Sequence, residues 1–234
     1  MTTMKPAARH TSLLLCLLTL LLGLAVASCQ EGDDDTRIVE WRYDFVTYMG
    51  YSGSTATFEY VGRGDSAAIT LLATGLDKPE HLASGQRVLL YYTVTGSPSP
   101  GVRNVQARYY TSGNVASDSL RVNAKPVAQY AMHPIKLRSL WRTGGYINLR
   151  GQVEYTGHPR QLYLMADGAT LESDTVEVYL VHDLMQGQDS TRFWRNCYGS
   201  FYVGKAWYRP SCRVMRVHVP DVVRPHVTCY NFAK

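Results

Sequence analysis

The sequence predicts an all-β protein, a small OB-like barrel followed by an antiparallel β-sandwich. Three observations lead there. Aromatic side chains alternate along strand-length segments, as Trp41, Tyr43 and Phe45 do against Arg42, Asp44 and Val46, the period of two that a half-buried strand requires. Tyrosine is abundant at 17 residues, and 19 glycines punctuate the chain, a balance that favours strands and turns over helices. No segment sustains a helical apolar stripe, and no internal repeat is found.

From Ile38 to about Val122 the chain reads as five short strands. The first holds the Trp41 to Val46 alternation. Thr55 to Tyr60 and Ala67 to Leu72 flank Gly62-Arg63-Gly64-Asp65, a turn between strands. Gly75 to Gly85 is an irregular connection. Gln86 to Thr95 contains Arg87-Val88-Leu89-Leu90-Tyr91-Tyr92, a largely buried strand, and Pro98, Pro100 and Gly101 break the chain before Val105 to Tyr110. Five β-rich segments within about 85 residues suit a small barrel, of which the OB-fold is one.

Lys125-Pro126 marks the break between halves, which places the barrel domain at 37–124 and the sandwich domain at 125–234. Ile135 to Trp141 leads through Gly144-Gly145 into Tyr146 to Tyr155 as a hairpin. Gln161 to Met165, Val176 to His182, Phe193 to Val203, Cys212 to Val219 and Val222 to Cys229 follow, with Gly or Pro between most of them. About seven strands at that spacing argue for an antiparallel sandwich.

Residues 1–28 are set apart as a secretory signal. Lys5 and Arg9 precede an apolar run, Leu13 to Leu24, and small residues follow it. The run is short of the ~20 residues that span a bilayer. Val26-Ala27-Ser28-Cys29 resembles a bacterial lipobox. That resemblance implies cleavage after Ser28 and acylation of Cys29 by diacylglyceryl and palmitate-type chains. Three chains would hold the protein permanently to a membrane, where one holds it reversibly. Outer-membrane lipid is thus the expected partner of Cys29. Chain 29–36 is polar and acidic, a flexible tether. It is either a solvated spacer or a sequence similar to the surface-export signal of Bacteroidetes lipoproteins, so both the periplasmic face and the cell surface stay open.

The mature chain has a formal charge of +3, the whole chain's +5 less Lys5 and Arg9. No block of like charges accompanies it, so nucleic-acid binding gets no support. Cys197, Cys212 and Cys229 fall in the last forty residues, in an exported setting that permits disulfides. One disulfide with a thiol left over, or none, fits the sequence. His218, His226 and Cys229 lack metal-ligand spacing. No G-x-S-x-G, H-E-x-x-H or P-loop pattern occurs, and neither a catalytic set nor a cofactor is expected. His182-Asp183 invites comparison with metal phosphohydrolases, but it ends a strand where those enzymes use helices. Arg63-Gly64-Asp65 is the tripeptide integrins bind, yet it is also ordinary turn chemistry. Phe58 with Tyr60, or Tyr91 with Tyr109, are either packing residues or a platform for a base or sugar. Trp141, Tyr146 and Trp207 read as packing residues.

Asp65-Ser66-Ala67, Asp118-Ser119-Leu120, Asp174-Thr175-Val176 and Asp189-Ser190-Thr191 resemble the Bacteroidetes O-glycosylation sequon, making Ser66, Ser119, Thr175 and Ser190 candidate acceptors. Gly85-Gln86-Arg87-Val88 and Leu140-Trp141-Arg142-Thr143-Gly144-Gly145-Tyr146-Ile147-Asn148-Leu149, with Leu180-Val181-His182-Asp183 beyond them, resemble the NigD-like lipoproteins of Bacteroidetes. The resemblance spans residues 36–234. It implies an OB-like domain and a β-sandwich behind a lipobox, with a link to bacteriocin immunity and no catalytic residues. Within it Tyr146 is expected to pack and the Asn148 amide to satisfy neighbouring backbone groups. The expected function is a non-catalytic binding or assembly module of the cell envelope, with an unidentified protein or glycan partner. A glycan-binding accessory protein and an envelope hydrolase are the alternatives.

Overall fold

The alternating segment Trp41 to Val46 opens a closed barrel. β1 (Trp41–Ser52), β2 (Thr55–Val61), β3 (Ala68–Thr74), β4 (Arg87–Ser99) and β5 (Val102–Thr111) join in the order β1-β2-β3-β5-β4. β3 and β5 run parallel and the other neighbours antiparallel, the Greek-key closure of an OB-type barrel. Val46, Tyr48, Phe58, Leu71, Val88, Leu90 and Tyr92 fill its interior. β4 is apolar on both faces because Leu89 turns outward to join Phe45, Val115 and the half-buried Trp141. The computed structural model describes residues 39–113, 115–185, 193–224 and 228–234, with Glu40–Lys234 as one unit. The expected signal, the tether with Cys29, and Ser190 lie outside the described residues.

The remaining strands are β6 (Val115–Ala116), β7 (Arg121–Val122), β8 (Lys136–Thr143), β9 (Tyr146–Glu154), β10 (Gln161–Ala166), β11 (Thr175–Asp183), β12 (Trp194–Tyr202), β13 (Val214–Val219) and β14 (Thr228–Ala233). They form two sheets, β14-β13-β11-β10-β7 and β6-β12-β9-β8. Ile147, Leu149 and Phe201 of the second sheet meet Val176, Val178, Leu180, Met215 and Val217 of the first in one core. Trp207, carried by a helical turn over Gly204–Trp207, is buried in the same core. Gly199 is required beside it: a Cβ there would lie 2.5 Å from the Phe201 ring.

The all-β, barrel-plus-sandwich fold is present, with three differences from the sequence reading. Chain 112–124, given to the barrel by that reading, supplies β6 and β7, which pair with β12 and β10 of the sandwich. Strands of two residues carry no readable period; sheet edges with unpaired backbone groups recruit them. The sandwich is also mixed rather than wholly antiparallel. β11 and β13 are parallel neighbours because the chain crosses to the other sheet, as β12, between them. Finally, the last strand is Thr228–Ala233 and not Val222 to Cys229. The Asp221 carboxylate accepts from the Val223 amide at 3.1 Å and turns the chain there, an Asx-type turn that ends extended structure.

Barrel and sandwich are joined by buried polar groups as well as by Phe45, Leu89 and Trp141. Arg87, only 6% exposed, leaves the barrel from β4. It donates to Thr47 Oγ1 and to Ser200 Oγ, each at 3.0 Å, and to Asn148 Oδ1 at 3.5 Å. Its guanidinium also lies 4.3 Å from the centre of the Tyr146 ring. Ser200 donates to Asn148 Oδ1 at 2.8 Å and Asn148 Nδ2 to Thr143 Oγ1 at 2.8 Å. Tyr146 packs, as expected. Asn148, expected to serve backbone groups, instead ties side chains of both domains together.

A second tie uses the Arg63-Gly64-Asp65 turn. Arg142 donates to both Asp65 oxygens at 2.6 Å, and the Gly64 and Gly144 amides bond across to the Arg142 and Gly64 carbonyls. The Arg142 guanidinium holds the Asp65 carboxyl below its ordinary pKa. The turn thus has a structural job inside the molecule.

His182, 2% exposed, stands on β11 opposite Leu162 of β10. Arg160 Nη1 lies 3.3 Å from its Nε2, and its Nδ1 lies 3.1 Å from the His133 carbonyl. Since a guanidinium only donates, Nε2 accepts and the proton sits on Nδ1. Burial pushes the imidazole down to about 4.

Two outcomes follow. Arg87→Ala is expected to cost about 2–4 kcal/mol of unfolding free energy in urea, since burial, three hydrogen bonds and a ring contact go together. Arg87→Met, which keeps most of the volume, is expected to cost less. An unfolded histidine titrates near 6.5, so between there and about 4 the unfolded chain binds a proton that the folded chain refuses. Stability is therefore expected to fall with pH across that window, by roughly 2–3 kcal/mol at pH ~4.5. In His182→Gln, compared with the parent chain by urea melts at matched pH, that part of the loss is expected to vanish.

Candidate functional site

The strand ends of the sandwich shape a cleft of about 360 Å³. β6 contributes Val115 and Ala116, β9 contributes Val153, and Leu162 and Cys197 come from β10 and β12. Together they give it an apolar floor. Tyr155, His158 and Arg160 from the end of β9 and the chain after it, with Arg195, Asn196 and Tyr198 from β12, form a polar rim. Among the described residues, none of those lining it is acidic. Gly157, in the left-handed region at φ 75°, turns the chain so that His158 and Arg160 stand at the cleft.

Arg160 is fixed by its surroundings. Nη2 donates to the Glu154 carbonyl at 2.6 Å, and Nη1 contacts His182 as above. Burial lowers its pKa, the nearby Cys197 opposes that, and the charge of Arg195 lowers it further. Two guanidinium groups near enough to repel each other favour an anion between or beside them. The Cys197 thiol is pushed up to about 11 by burial, so it stays protonated and serves as apolar wall rather than as a nucleophile. The arrangement suits binding of a carboxylate, phosphate or sulfate group. Its residues come from separate segments; the one sequence cue is the basic loop His158-Pro159-Arg160.

The other residues singled out in the sequence fall elsewhere. Phe58 is fully buried in the barrel and Tyr60 packs against that core. Tyr43, Tyr91 and Tyr109 stand in register across β1, β4 and β5 on the outside of the barrel. A bulge between Tyr91 and Tyr92 brings Arg108 to the same face, where it covers Trp41 at 4.8 Å. Trp41 stacks on Tyr91 at 4.9 Å, and Tyr91 on Tyr109 at 5.1 Å. Trp41 and Tyr91 spend their faces on neighbouring rings and Tyr109 alone of the three is exposed, whereas a sugar platform needs several faces turned to solvent.

Trp141 lies half-buried against Phe45. Ser66 and Ser119 are exposed, and Thr175 is half-buried at the start of β11. Cys197 and Cys212 are buried free thiols in the core, while Cys229 is a free thiol exposed on β14. Cys229 lies on the face of β14 turned away from the core that holds Cys197 and Cys212. Of the considered metal set, His218 and Cys229 do meet, and His226 lies outside the described residues.

No protein-family model and no curated protein sequence matches the chain. Solved structures do. A protein of unknown function, DUF1344, from Bacteroides vulgatus superposes with a TM-score of 0.65 at 13% identity, covering 83% of this chain and 91% of that one. A NigD-like immunity protein from Bacteroides caccae gives 0.58 at 14% identity, covering 82% and 96%. A candidate lipoprotein from Bacteroides fragilis gives 0.57 at 10%, covering 83% and 98%. The chain carries the barrel-plus-sandwich fold that the NigD-like immunity protein and these neighbours have.

Proposed function

We propose that this chain is a lipid-anchored protein of the bacterial outer membrane that works by binding rather than by catalysis. In this reading Cys29 carries the lipid, and the joined barrel and sandwich form a rigid body that presents the arginine-lined cleft to an anionic group of a partner. The cleft carries the binding part of the reading: His158, Arg160 and Arg195 stand around about 360 Å³, with no acid among its described lining residues. The lipobox-like Val26-Ala27-Ser28-Cys29 supports the anchor. Likeness in fold to an immunity protein and to a candidate lipoprotein fits an immunity-like role against a bacteriocin. The glycan-binding alternative gains less, since the aromatic ladder on the barrel is stacked on itself.

Two measurements test it. In cells fed an alkyne fatty acid, the parent chain is expected to take up label and sediment with outer membranes. Cys29→Ser is expected to lose the label and the membrane fraction together; an unlabelled parent chain overturns the anchor. For the cleft, sulfate or citrate is expected to raise the melting temperature of the purified protein. Arg195→Ser should weaken that binding about tenfold, as loss of one charge-assisted contact does, and Arg160→Gln should do the same. Equal shifts in parent and variants, or none in the parent, overturn the cleft.

A further inference from the structure

The outer face of the β11-β13-β14 strands holds a second chemical arrangement, separate from the cleft and independent of the reading above. The Lys234 amide donates to the Arg213 carbonyl. Counting in steps of two along the register, Val217/Tyr230 and Val219/Thr228 are then hydrogen-bonded pairs, and His218/Cys229 is the close pair between them. Side chains of such a pair approach most nearly, and Cys229 Sγ lies 3.2 Å from His218 Nδ1. On the other side of the ring, His218 Nε2 lies 2.6 Å from Glu177 Oε2. Glu177 Oε1 accepts from Arg216 Nη1 at 2.8 Å. Tyr179, paired with His218 across β11 and β13, stacks on the imidazole at 4.4 Å and 10°. An ionised carboxylate only accepts, so Nε2 carries the proton and the Nδ1 lone pair faces the sulfur. A thiol, a base within reach of it and a third group orienting the base is the arrangement of an activated nucleophile. The thiol is exposed.

We propose that Cys229 is a nucleophilic thiol, with His218 as its proton acceptor and Glu177 as the positioning residue, and that this face undergoes thiol–disulfide exchange with small disulfides. In the step, the Cys229 proton passes to His218 Nδ1 and the thiolate attacks one sulfur of R–S–S–R. A Cys229–S–S–R bond forms as the original S–S bond breaks. The leaving thiolate takes a proton from His218 and departs as R–SH. Cys229 is oxidised, one half of the disulfide is reduced, and His218 is returned neutral. Cys212 is fully buried in the core, and Cys197, which lines the cleft, is kept protonated by burial, so neither offers a thiolate to such a reagent. Among the described residues, the charged and titratable groups around the pair are Glu177 and Tyr179 on β11 and Arg216 on β13, with Asp167 acting on Tyr179.

The test uses the folded full-length chain and an aromatic disulfide at neutral pH, with the modified cysteine assigned by peptide mass spectrometry and Cys229→Ser as the blank. Among the three cysteines of the described residues, modification is expected at Cys229 alone. In His218→Asn the rate is expected to drop about tenfold, and in Glu177→Gln by a smaller factor, with melting temperatures showing that both variants fold. Nitrogen NMR of His218 gives a reading that a merely structural role would not move: the Nε2–H tautomer in the parent chain, and loss of that preference in Glu177→Gln. An unchanged rate in His218→Asn, or an Nδ1–H tautomer in the parent, overturns the proposal.

Discussion

The whole unit depends on how one buried cation is satisfied. Arg87 keeps its charge, since burial brings its pKa only to about 10. A buried guanidinium without partners is costly enough to unfold a small domain. Its hydrogen bonds go to Thr47 in the barrel and to Ser200 and Asn148 in the sandwich. None of these is a carboxylate, so no single ion pair neutralises the charge; the dipoles of two domains share it. Only one placement of barrel against sandwich brings all three oxygens to Arg87 at once. Apolar contact among Phe45, Leu89 and Trp141 supplies attraction across the seam, and the polar groups supply its direction. Arg142, held between Asp65 and the Trp207 ring, repeats the device with an ion pair.

Much of this architecture is legible in sequence because it follows from period. A strand with one buried face must alternate, so the barrel strands and most sandwich strands fall where alternation and turn residues put them. What escapes has a different cause. β6 and β7 exist because β12 and β10 offer open edges, a condition set by residues far along the chain. The last strand escapes because Val222 and Val223 look like strand residues, although Asp221 holds them in a turn where Val223 is 70% exposed. Asn148 stands out in the sequence, but its partners do not. Its bonds to Ser200 and Arg87 join positions 52 and 61 residues apart, a separation that no local pattern encodes.

Sites fared similarly. The cleft is assembled from β6, β9, β10 and β12, and no motif spans them. The thiol face is half legible. On β13, Arg216 and His218 interrupt Val214, Met215, Val217 and Val219 at alternate positions, which marks an outward face. On β14, Cys229 and Asn231 share the outward parity. Only the register, in which His218 stands opposite Cys229 and Tyr179 opposite His218, makes a triad of residues that look unrelated in the chain.

The form of that face also bears on which chemistry it suits. A thiolate attacking an acyl group builds negative charge on oxygen, and that charge needs donors already in place. The nearest candidates are engaged: Arg216 gives Nη1 to Glu177 and Nε to Asn231. Disulfide exchange asks for less, because charge moves from one sulfur to another and the group that receives the first proton can return it to the leaving thiolate. His218, held flat against Tyr179 and fixed in tautomer by Glu177, meets that requirement with no further machinery. The same sheet that buries Val217 and Met215 on one side can therefore hold reactive sulfur on the other without disturbing the core.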